Sequence, residues 1–149
     1  MTFTNNTPAS NRHFRYGNPA VVCDGASMRA HCRQLATVVT VKGDVGTDNI
    51  EQIASYVNRF ILPEKPLALD LSGVNSFAAQ AISLFYDIDD RCGALGVDWT
   101  VIASASVAGE IRHQEVAVPQ SASVPEALHH FDEGNTARRR LLPLLTKSA

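Results

Sequence analysis

Residues Leu67 to Gly96 read LALDLSGVNSFAAQAISLFYDIDDRCGALG, and the change of period inside this stretch decides the fold class. Leu67 to Leu71 is apolar except at Asp70, the pattern of a strand buried on both faces. Ser72 and Gly73 carry turn chemistry, which predicts that the strand ends there. From Ala78 onward Ala81, Phe85, Ile88, Cys92 and Leu95 recur at three- and four-residue spacings, one face of a helix. Asp87, Asp89, Asp90 and Arg91 take the other face, and Gly93 and Gly96 supply the stop. The unit is strand, exposed loop over 74–79, helix. Open α/β sheets form binding surfaces at the carboxyl ends of their strands, which makes Asn75, Ser76, Phe77, Ala78, Ala79 and Gln80 candidate docking residues.

These residues resemble the STAS family, the domain shared by sulphate transporters and anti-sigma factor antagonists. Its members carry a strand ending in Asp-Leu-Ser-x-Val, a spacer, then Asp-Ser-Ser-Gly-Leu opening a helix. Asp70-Leu71-Ser72-Gly73-Val74 matches the strand end, and Ile82 stands where the Leu falls. Between them Ala78-Ala79-Gln80-Ala81 replaces Asp-Ser-Ser-Gly, so Gln80 occupies the place of the phosphoacceptor serine. The resemblance implies an α/β domain with a mixed, mostly parallel sheet of about four or five strands flanked by about four helices.

Upstream, Ala36 to Val41 is rich in β-branched residues and reads as a strand. Ser27 to Gln34 alternates, with Arg29, His31 and Arg33 on one side and Met28, Ala30 and Cys32 on the other. The connection between the two is too short for a crossover, so they pair antiparallel. Ala20 to Cys23 adds a short edge strand. Lys42 to Thr47 reads as a turn, followed by a helix over about Asp48 to Phe60 with Asp48 and Glu51 at capping-box spacing. Ile50, Ile53, Ala54, Val57 and Phe60 form its buried stripe. This turn lacks the Gly-x-x-x-x-Gly-Lys pattern of a phosphate loop. STAS domains place a Gly-x-hydrophobic-Asp stretch here at the partner-binding end, which by resemblance assigns Asp44 and Thr47 to the same surface as the 74–79 loop.

Downstream, Asp98 to Ala103 is a further strand, Ser104 to Glu115 a helix and Val116 to Val118 a brief strand. Ser123-Val124-Pro125-Glu126 opens a last helix with a cap, a proline in the first turn and a glutamate three residues on. The domain spans 26–133, between an N-terminal arm over 1–25 that includes Phe14 and Tyr16 and a basic, apolar tail over 134–149 that includes Arg138, Arg139 and Arg140.

A net charge of −2 gives no electrostatic case for nucleic acid. Cys23, Cys32 and Cys92 show no paired spacing and fit reduced thiols in a cytoplasmic protein. No apolar run approaches the ~18 residues of a membrane span, and the N-terminus lacks the apolar core of a signal peptide. His129 and His130 are adjacent and diverge on a helix, so they form no metal pair. No metal or cofactor is expected. No nucleophile, base and orienting acid occur together, which argues against an enzyme, and Asp70 is assigned to holding the loop.

A phosphoserine at a helix start adds nearly two negative charges inside a docking surface, which opposes association. Gln80 has no hydroxyl. The nearby hydroxyls are Ser72, Ser76 and Ser83; Ser76 is expected as a helix N-cap, and Ser76 and Ser83 are the candidate alternate phosphosites. By resemblance the expected partner is an anti-sigma factor of the ATP-using kinase type, with a homodimer as a further arrangement. The alternatives are an accessory subunit of a membrane transporter or a stress-sensing scaffold, and thirdly a small-ligand or nucleotide sensor.

Overall fold

The computed structural model describes residues 20–134. Its sheet has five strands in the order β1 (Val21–Cys23), β2 (Ala26–Cys32), β3 (Thr37–Val45), β4 (Leu67–Phe77) and β5 (Trp99–Ala103). β1, β2 and β3 pair antiparallel, whereas β3, β4 and β5 run parallel. Helix α1 (Ile50–Arg59) connects β3 to β4, and α2 (Ser83–Leu95) connects β4 to β5. Helix α3 (Ala105–His113) follows β5, and α4 begins at 124 and reaches 134. This is the mixed, four-helix α/β architecture expected. The sheet reaches back to Val21, inside the stretch read as an arm; Phe14, Tyr16 and Arg138 to Arg140 lie outside the described residues.

Alternation along the strands splits the core in two. Met28, Ala30, Val39, Val41, Leu69, Leu71 and Val101 face α1, α2 and α3, whose Ile53, Val57, Leu84, Phe85, Ile88, Val107 and Ile111 complete the larger cluster. Val38, Ala68 and Ile102 face the other way and are covered by Ala127 and Phe131 of α4. Two buried hydrophobic layers on β4 explain why Leu67, Ala68 and Leu69 are apolar in succession.

Several boundaries differ from the sequence reading. β4 does not stop at Leu71 but continues to Phe77, and β3 runs through Lys42 and Gly43 to Val45. The register jumps twice: Thr40 faces Asp70 but Lys42 faces Gly73, and Gly43 faces Val74 but Asp44 faces Ser76. Ser72 and Asn75 are therefore taken up in bulges, so turn chemistry serves a bent strand rather than a loop. The Asp70 carboxylate holds the first bulge, accepting from the Ser72 N–H at 3.0 Å and its hydroxyl at 2.7 Å. Gly43 sits at φ +103, where an added Cβ would collide with the Gly25 carbonyl oxygen.

Helix α1 starts two residues later than expected, and neither Asp48 nor Asn49 caps it through a side chain. The amides of Asn49 and Ile50 instead bond to Gly46 O, closing a tight turn ahead of the helix. The brief strand over 116–118 is absent. Residues 119–121 make a single parallel bridge to Val101, with Val101 N–H donating to Pro119 O and Ser121 N–H to Val101 O. The α4 start forms as expected: Ser123 Oγ accepts from Glu126 N–H at 3.2 Å, and the Glu126 carboxylate accepts from Ala122 N–H at 2.6 Å. Gly96 caps α2 in the left-handed region at φ +69. Cys92 on α2 is buried, and burial, reinforced by Asp89, pushes its thiol up to about 11.

Candidate functional site

The carboxyl ends of β3 and β4 meet the start of α1 and a short 3-10 turn, Ala79–Ile82, that leads into α2. The second bulge turns Ser76 toward β3, where its hydroxyl donates to Asp44 Oδ1 at 2.9 Å. Ser76 is thus a strand residue and not the helix cap expected; Ala78 precedes the 3-10 turn and offers no capping side chain. Phe77 turns inward at 8% exposure and stacks on Phe85 with ring centroids 5.6 Å apart. It anchors the strand end in the core while one edge lines the surface hollow beside Ser76 and Ala78.

Asp44, Thr47, Asn75, Ser76, Ala79 and Gln80 are exposed at this end, and Ala78 is half-buried. Asp44, Ser76 and Ala78 line one shallow hollow together with Asp24, Asp48 and Asn49. Among the described residues three carboxylates and no cation border it. Ser83 opens α2 on its exposed side. A phosphate on Ser76 would stand against the Asp44 carboxylate, so its charge is opposed there, whereas among the described residues no carboxylate is in hydrogen-bond contact with Ser83.

Three residues without any motif signal hold this end in shape. Asn49 is 2% exposed, and its side-chain amide donates to Asp44 O at 2.8 Å, Asp24 O at 3.0 Å and Cys23 O at 3.3 Å while its Oδ1 accepts from Gly46 N–H at 3.0 Å. It stitches the β1–β2 turn to the β3–α1 turn. Ser106 Oγ donates to Asn75 O at 2.7 Å, and Gln114 Nε2 donates to Ala79 O at 2.9 Å. Both come from the ends of α3 and grip the backbone on either side of residues 76–78. Side-chain bonds to backbone acceptors more than thirty residues away leave no local pattern in sequence.

Ser106→Ala combined with Gln114→Ala is expected to raise amide hydrogen exchange across 75–80 by about thirtyfold, since two net hydrogen bonds of about 1 kcal/mol each are lost. Protection in β2 and α1 stays unchanged. Equal exchange in the variant and the parent would mean that α3 does not brace this segment.

Among the described residues no group of three metal-ligating side chains occurs, and no helix is long and apolar enough to cross a membrane. His129 pairs instead with Glu133 at 3.5 Å along α4.

The STAS domain model matches residues 27–112. Osmosensory protein A of Mycobacterium tuberculosis is 40% identical over 142 residues, covering 91% of this chain and 90% of that protein. A STAS anti-sigma factor antagonist from Planctomyces limnophilus superposes with a TM-score of 0.61 at 19% identity, covering 70% of this chain and 97% of the other. An anti-sigma factor antagonist from Mycobacterium paratuberculosis gives 0.59 at 18% identity, with 72% and 94% covered. At these identities the two solved structures share the fold with this chain.

Proposed function

Because the chain belongs to the STAS domain family, we propose that it is a non-enzymatic docking module of the cytoplasm that acts as an anti-sigma factor antagonist. Its partner in this reading is an anti-sigma factor of the ATP-using kinase type, bound at the end formed by Asp44, Thr47, Asn75, Ser76, Ala78, Ala79 and Gln80. One observation carries the reading: an exposed backbone segment at the strand ends is held in a single shape by Ser76–Asp44, Ser106–Asn75 and Gln114–Ala79. A surface braced before binding loses less entropy on association. The small side chains of Ala78 and Ala79 let a partner's backbone approach closely. The acidic border beside them supports a protein partner over a nucleotide, whose phosphates Asp24, Asp44 and Asp48 would repel.

With Gln80 neutral, binding is constitutive unless a hydroxyl elsewhere is modified, Ser83 having the less opposed position. The test is calorimetric titration with the kinase-type anti-sigma factors of the same cell. Ala78→Asp combined with Gln80→Glu is expected to weaken binding by about tenfold or more, because two carboxylates are desolvated in the contact. Absence of binding to every such factor, or equal binding by both proteins, sinks the reading.

The name of the 40%-identical relative favours a second reading, a scaffold in an osmotic-stress assembly. Docking without phosphorylation suits that role as well. Recovery of the protein in a stable multiprotein complex or with a transporter ATPase, and not with an anti-sigma kinase, selects it.

A further inference from the structure

All fifteen acidic residues of the chain lie between Asp24 and Glu133, yet none falls between 25 and 43. That acid-free stretch is the β2–β3 hairpin, and it carries Arg29, Arg33 and Lys42. Strand register decides where the charges point. Ser27 pairs with Lys42 and Arg29 with Thr40, and Val22 of β1 pairs with Ser27, so these residues share the sheet face opposite Met28, Ala30, Val39 and Val41. Helix α4 covers this face over Ala36, Val38, Ala68 and Ile102. The part that no other described residue covers is a hollow lined by Ala20, Ser27, Arg29, His31, Thr40 and Lys42, with Val22, 76% exposed, on the neighbouring strand.

Opposite charges directly across an antiparallel pair stabilise it. Here Arg29 and Lys42 each stand opposite a hydroxyl, and no ion pair engages either one among the described residues. Across β3 from Arg29, Asp70 stands opposite Thr40 and accepts from Ser72 through Oδ1; it keeps its charge but makes no ion pair with Arg29 or Lys42. Among the described residues the two cations therefore form a positive spot with no ion-pair partner, on a chain whose net charge is −2.

We infer that this open sheet face is a second docking surface, for an acidic segment of a partner protein that also offers an apolar side chain to Val22. Its sign is opposite to that of the strand-end site, so one domain would hold two partners of different charge on different sides. A symmetric pairing of this face with itself is disfavoured, because it would bring Arg29 and Lys42 of two copies together. The inference does not depend on the anti-sigma reading.

The test uses the full chain and a fluorescein-labelled peptide of alternating glutamate and leucine, followed by anisotropy and by amide chemical shifts. The parent is expected to bind with shifts on β2 and β3, weakening as added salt shortens the screening length from about 10 Å at 0.1 M to about 3 Å at 1 M. Arg29→Glu with Lys42→Glu is expected to lose about tenfold or more in affinity. Arg29→Gln with Lys42→Gln, which keeps polar side chains on both strands, is expected to lose less, and Ala78→Asp with Gln80→Glu to bind as the parent does. Undiminished binding by the Glu variant overturns the inference, as do shifts that map away from β2 and β3. Binding to vesicles of phosphatidylserine and phosphatidylcholine without binding to the peptide overturns it too, in favour of a membrane.

Discussion

Phe85→Ala is expected to destabilise the domain by about 4 kcal/mol, within the 3–5 kcal/mol typical of emptying a buried aromatic site. Phe85 is 1% exposed, and its ring stacks on Phe77 at 5.6 Å and on Trp99 at 6.3 Å. It joins α2 to the end of β4 on one side and to the start of β5 on the other. Trp99 is further tied to α2 by its indole N–H, which donates to Asp89 Oδ1 at 3.0 Å, so the neighbours cannot close over the void without breaking that bond. The loss also frees Phe77, the residue that fixes the strand end beneath the docking segment. Urea unfolding is the measurement, with Phe85→Leu as the control that refills most of the volume. A loss under about 1 kcal/mol for the alanine variant would show that the aromatic row is not a supporting element.

Asn49→Ala comes next, with an expected loss of about 3 kcal/mol, since each buried polar group left unpaired costs roughly 1–3 kcal/mol. The amide serves three carbonyl oxygens with two hydrogens, and its own oxygen receives the Gly46 N–H. Asn49→Asp keeps the acceptor but sets a carboxylate against those carbonyls, and is expected to cost more than the alanine. Thermal unfolding of both variants checks the order. An aspartate variant as stable as the parent would mean that the three carbonyls find other donors. Because the same contacts join the β1–β2 turn to the turn before α1, both variants are also expected to loosen Asp44 and Ser76.

The periods in the sequence carried the architecture, because burial on one or both faces imposes them directly. The helical stripe of Phe85, Ile88 and Cys92 and the apolar strands placed every sheet element but the non-existent one over 116–118. That segment is apolar because Val116 and Val118 pack on the larger core, which needs no ladder. The site was legible in part. Its location follows from β4 and the turn after β3, but Ser72-Gly73 and Gly43 read locally as chain reversals when they serve bulges and a close approach of backbone. Ser76 was misassigned for the same reason: the cap reading assumes that the strand has already ended. Asn49, Ser106 and Gln114 act on distant carbonyls and become visible only in three dimensions.

The buried thiol of Cys92 has a practical consequence. With its ionisation pushed up to about 11 and its side chain 1% exposed, it is neither a thiolate nor reachable in the folded domain at neutral pH. Cys32, by contrast, lies open to solvent. Cys23 on β1 is half-buried. Alkylation of Cys32 and Cys92 thus falls in two phases, one at the surface that marks the hairpin and one that waits for the domain to open, and a Cys23→Ser background keeps the two apart. The second phase is an internal clock on spontaneous opening, readable by intact mass in water without a denaturant.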